Sequence, residues 1–299
     1  MILTNTIRKH GVIGTAKKAS ALALKKSGWY HFKFRRVDKY QNPTGEELIL
    51  IEQELTKLGI PIKDYVVKAE TFHQFKQDFL FPEDYHGGIK SGVWDEKLLE
   101  HFIAFERLGL KNYRPQDIYI DMAACGSPWA KILKEKQNLA SSYAIDVSIA
   151  VQYAHLSYYK KENAISTSFS ASSVKGASLQ CAYEMFTGND DIDLLKEAAR
   201  ILSPGGKMII VPLYMHTHYC SYSTPEYWGK GFSDQEAKEY VRLDCFGVPS
   251  SRKYDAFKLK ERVLEVIQNL GMSYQLYALR NKDNLGSNIY CHFILEIIK

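Results

Sequence analysis

The 299-residue chain has little of what a membrane-spanning or exported protein would need. No apolar run reaches 18 residues, which excludes a helical span of ordinary length. Met1 to Leu24 carries charges throughout and has no continuous apolar stretch, so no signal peptide is expected. The five cysteines, Cys125, Cys181, Cys220, Cys245 and Cys291, contain no C-x-x-C pair, and their number is odd. That argues against a disulfide frame and a zinc site, and for reduced thiols; no metal and a cytoplasmic setting are expected. Acid is missing from Met1 to Arg36, which holds nine basic residues. The remaining chain carries 30 basic against 34 acidic residues, so the whole excess of +5 belongs to that one segment. Trp29, Tyr30, Phe32 and Phe34 lie among its charges. Contact with an anionic membrane surface, with nucleic acid or with an acidic partner would suit it. Its apolar residues scatter around a helical wheel, however, and a helix packed on its own domain suits it better.

Glycine is also scarce where a nucleotide-binding turn would want it. Asp117 to Asp121 reads as a short apolar strand ending in an acid, followed by Met122-Ala123-Ala124-Cys125-Gly126-Ser127-Pro128 and a helix from Trp129. Small side chains after a strand let the backbone approach a ligand, and the helix start offers free N–H groups. A dinucleotide fingerprint needs three glycines, and only Gly126 is present. A second strand-like run, Ser142 to Ile145, ends in Asp146, where a Rossmann-like fold places the acid that holds ribose hydroxyls.

A later segment adds to this. Ile192, Leu195, Ala199 and Leu202 form one helical face, Ser203-Pro204-Gly205-Gly206 turns the chain, and Met208 to Leu213 is the continuous apolar run of a strand covered on both faces. The string Glu197-Ala-Ala-Arg200-Ile-Leu202-Ser-Pro204-Gly205-Gly206 resembles the E-x-x-R-x-L-x-P-G-G signature of class I S-adenosylmethionine-dependent methyltransferases. Phe257 to Leu270 as a helix, then Tyr274 to Leu279 and Ile289 to Ile298 as strands, resemble the elements that close the sheet of that family. The resemblance implies an α/β fold: a Rossmann-like, mostly parallel sheet with an antiparallel last strand, helices on both faces and an N-terminal helical extension. Residues 1–110 would be the basic, helical extension and lid, and 111–299 the catalytic domain, with a substrate-side insertion at 214–254.

It further implies S-adenosylmethionine as cofactor, held by Asp121, Ala123, Cys125, Gly126, Asp146, Ser168 and Gln180. The chain departs from the family in three places. Ala123, Cys125 and Ser127 replace the glycines of G-x-G-x-G. No acid stands in Ala164 to Phe169, where Ser168 could serve instead, and none stands in Val174 to Ser178. Glu184 and His216, just past the fourth and fifth strands, are candidate bases, and Tyr214 a candidate hydrogen-bond partner for the acceptor. His101 and His218 rank below them. Arg252, Lys253 and Arg262 would suit a phosphate, or could be plain surface charges. The expected reaction is methyl transfer to a small polar metabolite, with a sugar- or phosphate-containing acceptor first and oxygen ahead of nitrogen. Two other classes fit parts of the sequence: a methyltransferase fold serving as a binding scaffold, favoured by the missing acids, and a nucleic-acid methyltransferase. The second lacks an Asn/Asp-Pro-Pro-Tyr/Phe motif and any RNA module.

Outside that region, Thr44 to Leu58, Val67 to Phe79 and Asp95 to Leu108 are expected helices, the last lying against the sheet near the cofactor cleft. Pro82 to Gly92 is an expected loop.

Overall fold

The structure is a computed structural model that describes residues 28–299 together with Ser20, Ala23 and Leu24. Most of the basic segment 1–36 lies outside the described residues. Its aromatic end forms helix α1 (Trp29–Lys33), where Tyr30 and Phe34 bury against Val241 and Leu243 of the insertion. Trp29 and Phe32 stay exposed.

Helix α2 (Gly45–Lys57) starts at a reciprocal cap: the Thr44 hydroxyl accepts from the Glu47 amide and the Glu47 carboxylate accepts from the Thr44 amide. Strand β1 (Ile62–Tyr65), α3 (Ala69–Asp78) and α4 (Trp94–Leu108) follow, α4 ending on left-handed Gly109. Then come β2 (Ile118–Met122), α5 (Trp129–Gln137), β3 (Ser142–Asp146), β4 (Tyr159–Lys161), β5 (Val174–Gln180), α6 (Asp190–Ile201) and β6 (Leu202–Leu213). The insertion holds β7 (Cys220–Ser223), β8 (Lys238–Val241) and β9 (Ser251–Lys253). The chain closes with α7 (Ala256–Leu259), a π-helical stretch Lys260–Leu264, α8 (Glu265–Asn269), β10 (Ser273–Leu279) and β11 (Phe293–Ile298).

The large sheet runs β1-β10-β11-β6-β5-β2-β3-β4, and β11 is antiparallel to both of its neighbours. Counted from β2, the parallel part has the order 3-2-1-4-5 of a doubly wound sheet. The fold is therefore the Rossmann-like one read from the sequence, with helices on both faces. One face packs Ile51, Leu55, Leu194, Leu195, Leu259 and Val263; the other packs Phe72, Phe75, Phe102, Phe105 and Trp129. Residues before 110 also supply a strand, since β1 joins the sheet edge beside β10. Among the described residues no helix is long and apolar enough to cross a membrane.

Three local readings change. The third strand of the parallel half is Tyr159–Lys161, upstream of the segment searched for its acid. Ser203 to Gly206 does not separate α6 from the strand; it loops out within β6, between pairings Val174–Leu202 and Gly176–Lys207. A Cβ on Gly206 would lie 2.8 Å from the Ser203 carbonyl oxygen and 2.9 Å from that of Val174, so this loop has room only for glycine. The insertion, irregular by sequence, carries its own three-stranded sheet, β8-β7-β9.

Candidate active site

In a doubly wound sheet the ligand crevice lies outside the carboxyl ends of the strands, where the strand order reverses. Here that point lies between β2 and β5. A cleft of about 400 Å³ opens there, lined by Ala123, Cys125, Asp146, Glu162, Asn163, Cys181 and Asp190, with Val147, Ala164, Ala182, Met185 and Phe186 as its apolar walls.

The turn after β2 keeps a glycine-type path without glycines. Ala123 has φ 54° and Cys125 φ 31°, both left-handed. Such positions cost on the order of 1–3 kcal/mol each for residues with a Cβ. They fold the loop back so that the Cys125 amide donates to the Asp146 carboxylate at 3.0 Å, while the Ser148 amide donates to its other oxygen at 2.7 Å. Asp146 is thus pinned at the tip of β3 facing the cleft. Burial raises its pKa, and the two amides oppose that rise. Asp121 sits behind the turn, buried, and accepts from the Ser127 hydroxyl at 2.6 Å. Burial pushes its carboxyl up to about 7, with the Asp146 charge adding to the effect.

Of the residues expected to hold the cofactor, Ala123, Cys125 and Asp146 come together in the lining. Gly126 continues the turn against Ala150. Gln180 ends β5 with its amide on the Ser178 hydroxyl and its Oε1 buried without a partner. Ser168 is not in the lining; its hydroxyl and amide bind Glu162, at 2.6 and 2.9 Å. Sequence reasoning missed Asp190, at the start of α6, and the pair Glu162 and Asn163, directly after β4. The signal of the pair was hidden because Tyr159-Lys160-Lys161 is too short and polar to read as a strand. Against the raising effect of burial, the Ser168 contacts hold Glu162 below its ordinary pKa.

Cys181 links this cleft to a second, enclosed group of side chains. Its sulfur lies 3.3 Å from Glu184 Oε1 and 3.1 Å from the Tyr214 hydroxyl. Glu184 is buried, and its Oε2 has no protein partner. The Tyr214 ring stacks beside Tyr290, whose hydroxyl reaches Glu100 at 3.4 Å. Glu100 pairs with Lys97 at 2.7 Å inside the protein. Lys253 completes the group: its Nζ lies 3.7 Å from the Tyr214 ring centre, 5.1 Å from that of Tyr222 and 5.7 Å from that of Tyr40. It is 2 % exposed, and burial lowers its pKa to about 8 against the pull of Glu184.

His216 does not join Glu184. It lines a separate groove of about 460 Å³ with Leu50, Ile51 and Asp255. Its pKa is lowered by burial and by His218. His101 is buried under Tyr85, bonded to its hydroxyl at 2.8 Å. Arg252 is closed to a phosphate, and both Arg252 and Arg262 are committed to ion pairs inside the protein. Arg252 is buried against Asp191 and Asp234, at 2.5 and 2.7 Å, and Arg262 holds the other oxygen of Asp191 at 2.7 Å. The fully buried Asp191 carboxylate needs both cations to offset its desolvation.

No protein-family model and no curated protein matches the chain. Among solved structures it is similar to the Burkholderia thailandensis 1,6-didemethyltoxoflavin-N1-methyltransferase, with bound 1,6-didemethyltoxoflavin and S-adenosylhomocysteine, at 12% identity over 80% of this chain and 92% of that one, TM-score 0.43. It is also similar to geranyl diphosphate C-methyltransferase of Streptomyces coelicolor, at 14% identity over 75% and 86%, TM-score 0.40. A third is a SAM-dependent methyltransferase of Methanosarcina mazei, at 20% identity over 63% and 95%, TM-score 0.37. The fold assignment rests on the strand order itself.

Proposed function

We propose that the protein is an S-adenosylmethionine-dependent methyltransferase acting on a small polar metabolite, with the hydroxyl of a sugar- or phosphate-containing acceptor as the first class to test. The observation that carries this reading is the charge of the cleft. Its lining holds three carboxylates, Asp146, Glu162 and Asp190, and no lysine, arginine or histidine. A pyrophosphate-bearing dinucleotide would meet repulsion there. A nucleoside carrying a sulfonium and an ammonium group meets attraction. The residues present therefore fit the group: Asp146 would hold the ribose hydroxyls, and Met185, Phe186 and Ala164 would flank the base. The signature at Glu197 to Gly206 points the same way.

S-adenosylmethionine supplies an electrophilic methyl group on a positively charged sulfur. The protein's part is to orient the acceptor, exclude water and receive a proton. Glu184 suits the last task, because its Oε2 is buried without a partner and Cys181 connects it to the cleft. Tyr214 and Lys253 suit the positioning of an acceptor hydroxyl or a negative group. From before residue 110, Lys97 and Glu100 join the enclosed group through Tyr290, and that region is proposed as the lid.

The test is transfer of an isotope-labelled methyl group from S-adenosylmethionine to a panel of nucleotide-linked sugars, free sugars and phosphorylated metabolites, followed by mass spectrometry. A labelled product that depends on Glu184 supports the reading. Cofactor binding with no product from any acceptor class, and none from amine controls, favours the scaffold.

A further inference from the structure

The segment Met215 to Ser223 has a feature unrelated to the cleft. His216, His218 and Cys220 alternate along the chain through a bend into β7, and their donor atoms all lie within 4.8 Å of one another. His216 and Cys220 are buried, and His218 is half-buried. The two imidazole rings stand 4.4 Å apart at 73°. Both Nδ1 atoms turn toward Thr217: His216 Nδ1 accepts from its amide at 2.9 Å, and the Thr217 hydroxyl lies 3.2 Å from that nitrogen and 3.3 Å from His218 Nδ1. The outer edges of the rings are bonded elsewhere. His218 Nε2 lies 2.8 Å from the Tyr240 hydroxyl, and His216 is hydrogen-bonded to the Gln41 backbone. Metal-binding imidazoles carry such an outer bond, which fixes the tautomer and turns the other nitrogen inward.

We propose that His216, His218 and Cys220 bind a single zinc-type divalent ion through two imidazole nitrogens and one thiolate. Two nitrogens and a sulfur make a borderline-soft set that suits zinc or cobalt and suits magnesium or calcium poorly. Bond lengths near 2.0–2.3 Å place tetrahedral donors roughly 3.5 Å apart, so side-chain rotation of about 1 Å closes the site. Three protein ligands leave the fourth position to water. The charges around the site are of both signs: Glu47 and Asp255 face the histidines, Lys238 is paired with Asp38 at 3.1 Å, and the buried Lys253, opposite Cys220 on β9, is the cation that a dication would have to tolerate. Cys220 would bind as the thiolate, so metal binding releases its proton. None of the three ligands lines the acidic cleft. The ion's role is to clamp the bend at Thr217 to β7, at the root of the insertion.

The experiment is titration of the chelator-treated full-length protein with Co²⁺ as a spectroscopic probe. The expected result is saturation at one equivalent, with the visible bands of tetrahedral cobalt, a sulfur-to-cobalt charge-transfer band in the near ultraviolet, and displacement of both by Zn²⁺. Cys220→Ser should lose the charge-transfer band. His218→Gln, a change at the half-buried ligand, should weaken binding at least tenfold with an unchanged circular dichroism spectrum. Absence of one-to-one binding by the folded wild-type protein overturns the proposal. So does a charge-transfer band that survives Cys220→Ser.

Discussion

Lys253 offers a quantitative test of the buried group beside the cleft. The structure places its ammonium among three tyrosine rings, with one hydrogen bond, to the Ser251 hydroxyl at 2.9 Å. Desolvation lowers its pKa from 10.5 to about 8. At about 1.4 kcal/mol per unit, holding this charge in the folded state costs about 3 kcal/mol relative to the unfolded chain. Because the folded pKa is depressed, the cost is present in full below pH 8 and is relieved as pH rises from about 8 to 10.5. The perturbation is Lys253→Met, which keeps length and removes the charge. The assay is urea unfolding of both proteins at pH 7 and pH 10. The raised tyrosines also titrate in this window, so the informative quantity is the difference between the two proteins' pH changes. Wild type should gain about 2–3 kcal/mol relative to the variant between the two pH values. Parallel pH profiles would refute the reasoning, because they would mean that the Lys253 ammonium is solvated in the folded state.

Two further outcomes follow from the same geometry. Glu184→Gln should lower turnover by roughly 10²–10⁴-fold and Tyr214→Phe by less, both with S-adenosylhomocysteine affinity nearly unchanged, because they stand on the acceptor side of Cys181; steady-state kinetics beside calorimetry separates the two effects, and a collapse of cofactor affinity would move these residues into the cofactor shell. Phe34→Ala should destabilise the protein by about 3 kcal/mol, since Phe34 is buried against the insertion; an unchanged unfolding midpoint would show that the α1 contact carries no stability.

Strands β2, β3 and β6 were legible because each carries an apolar run set off by an acid or a turn. Asp121 and Asp146 were found this way, and the helix from Thr44 was found from its cap. What escaped the sequence escaped for physical reasons. Strand β4 is three residues, Tyr-Lys-Lys, on the sheet edge, so neither its apolar content nor its length marks it, and Glu162 and Asn163 went unseen with it. Ser203 to Gly206 carries the composition of a chain break, yet it is accommodated as an excursion inside β6 because Gly206 can sit against two carbonyls. Arg252 and Lys253 are adjacent in a polar stretch with the appearance of surface charge. Their burial depends on Asp191, Glu184 and three tyrosines brought from distant parts of the chain. His216 was grouped with Glu184 because both follow strand ends, but the bend after Tyr214 carries it into another groove. The left-handed turn at Ala123 and Cys125 shows the converse: the backbone path persists after the glycines that would make it easy have been replaced.

The central claim is that the acidic cleft at the β2–β5 switch point holds S-adenosylmethionine through Asp146. Isothermal calorimetry of the full-length protein with S-adenosylmethionine and S-adenosylhomocysteine, for wild type and Asp146→Ala, tests it most directly. The account predicts one-site binding by wild type and a loss of about 1.5–3 kcal/mol in the variant, the range for hydrogen bonds to a charged group. Binding of equal strength in both proteins, or no binding by wild type, would contradict it.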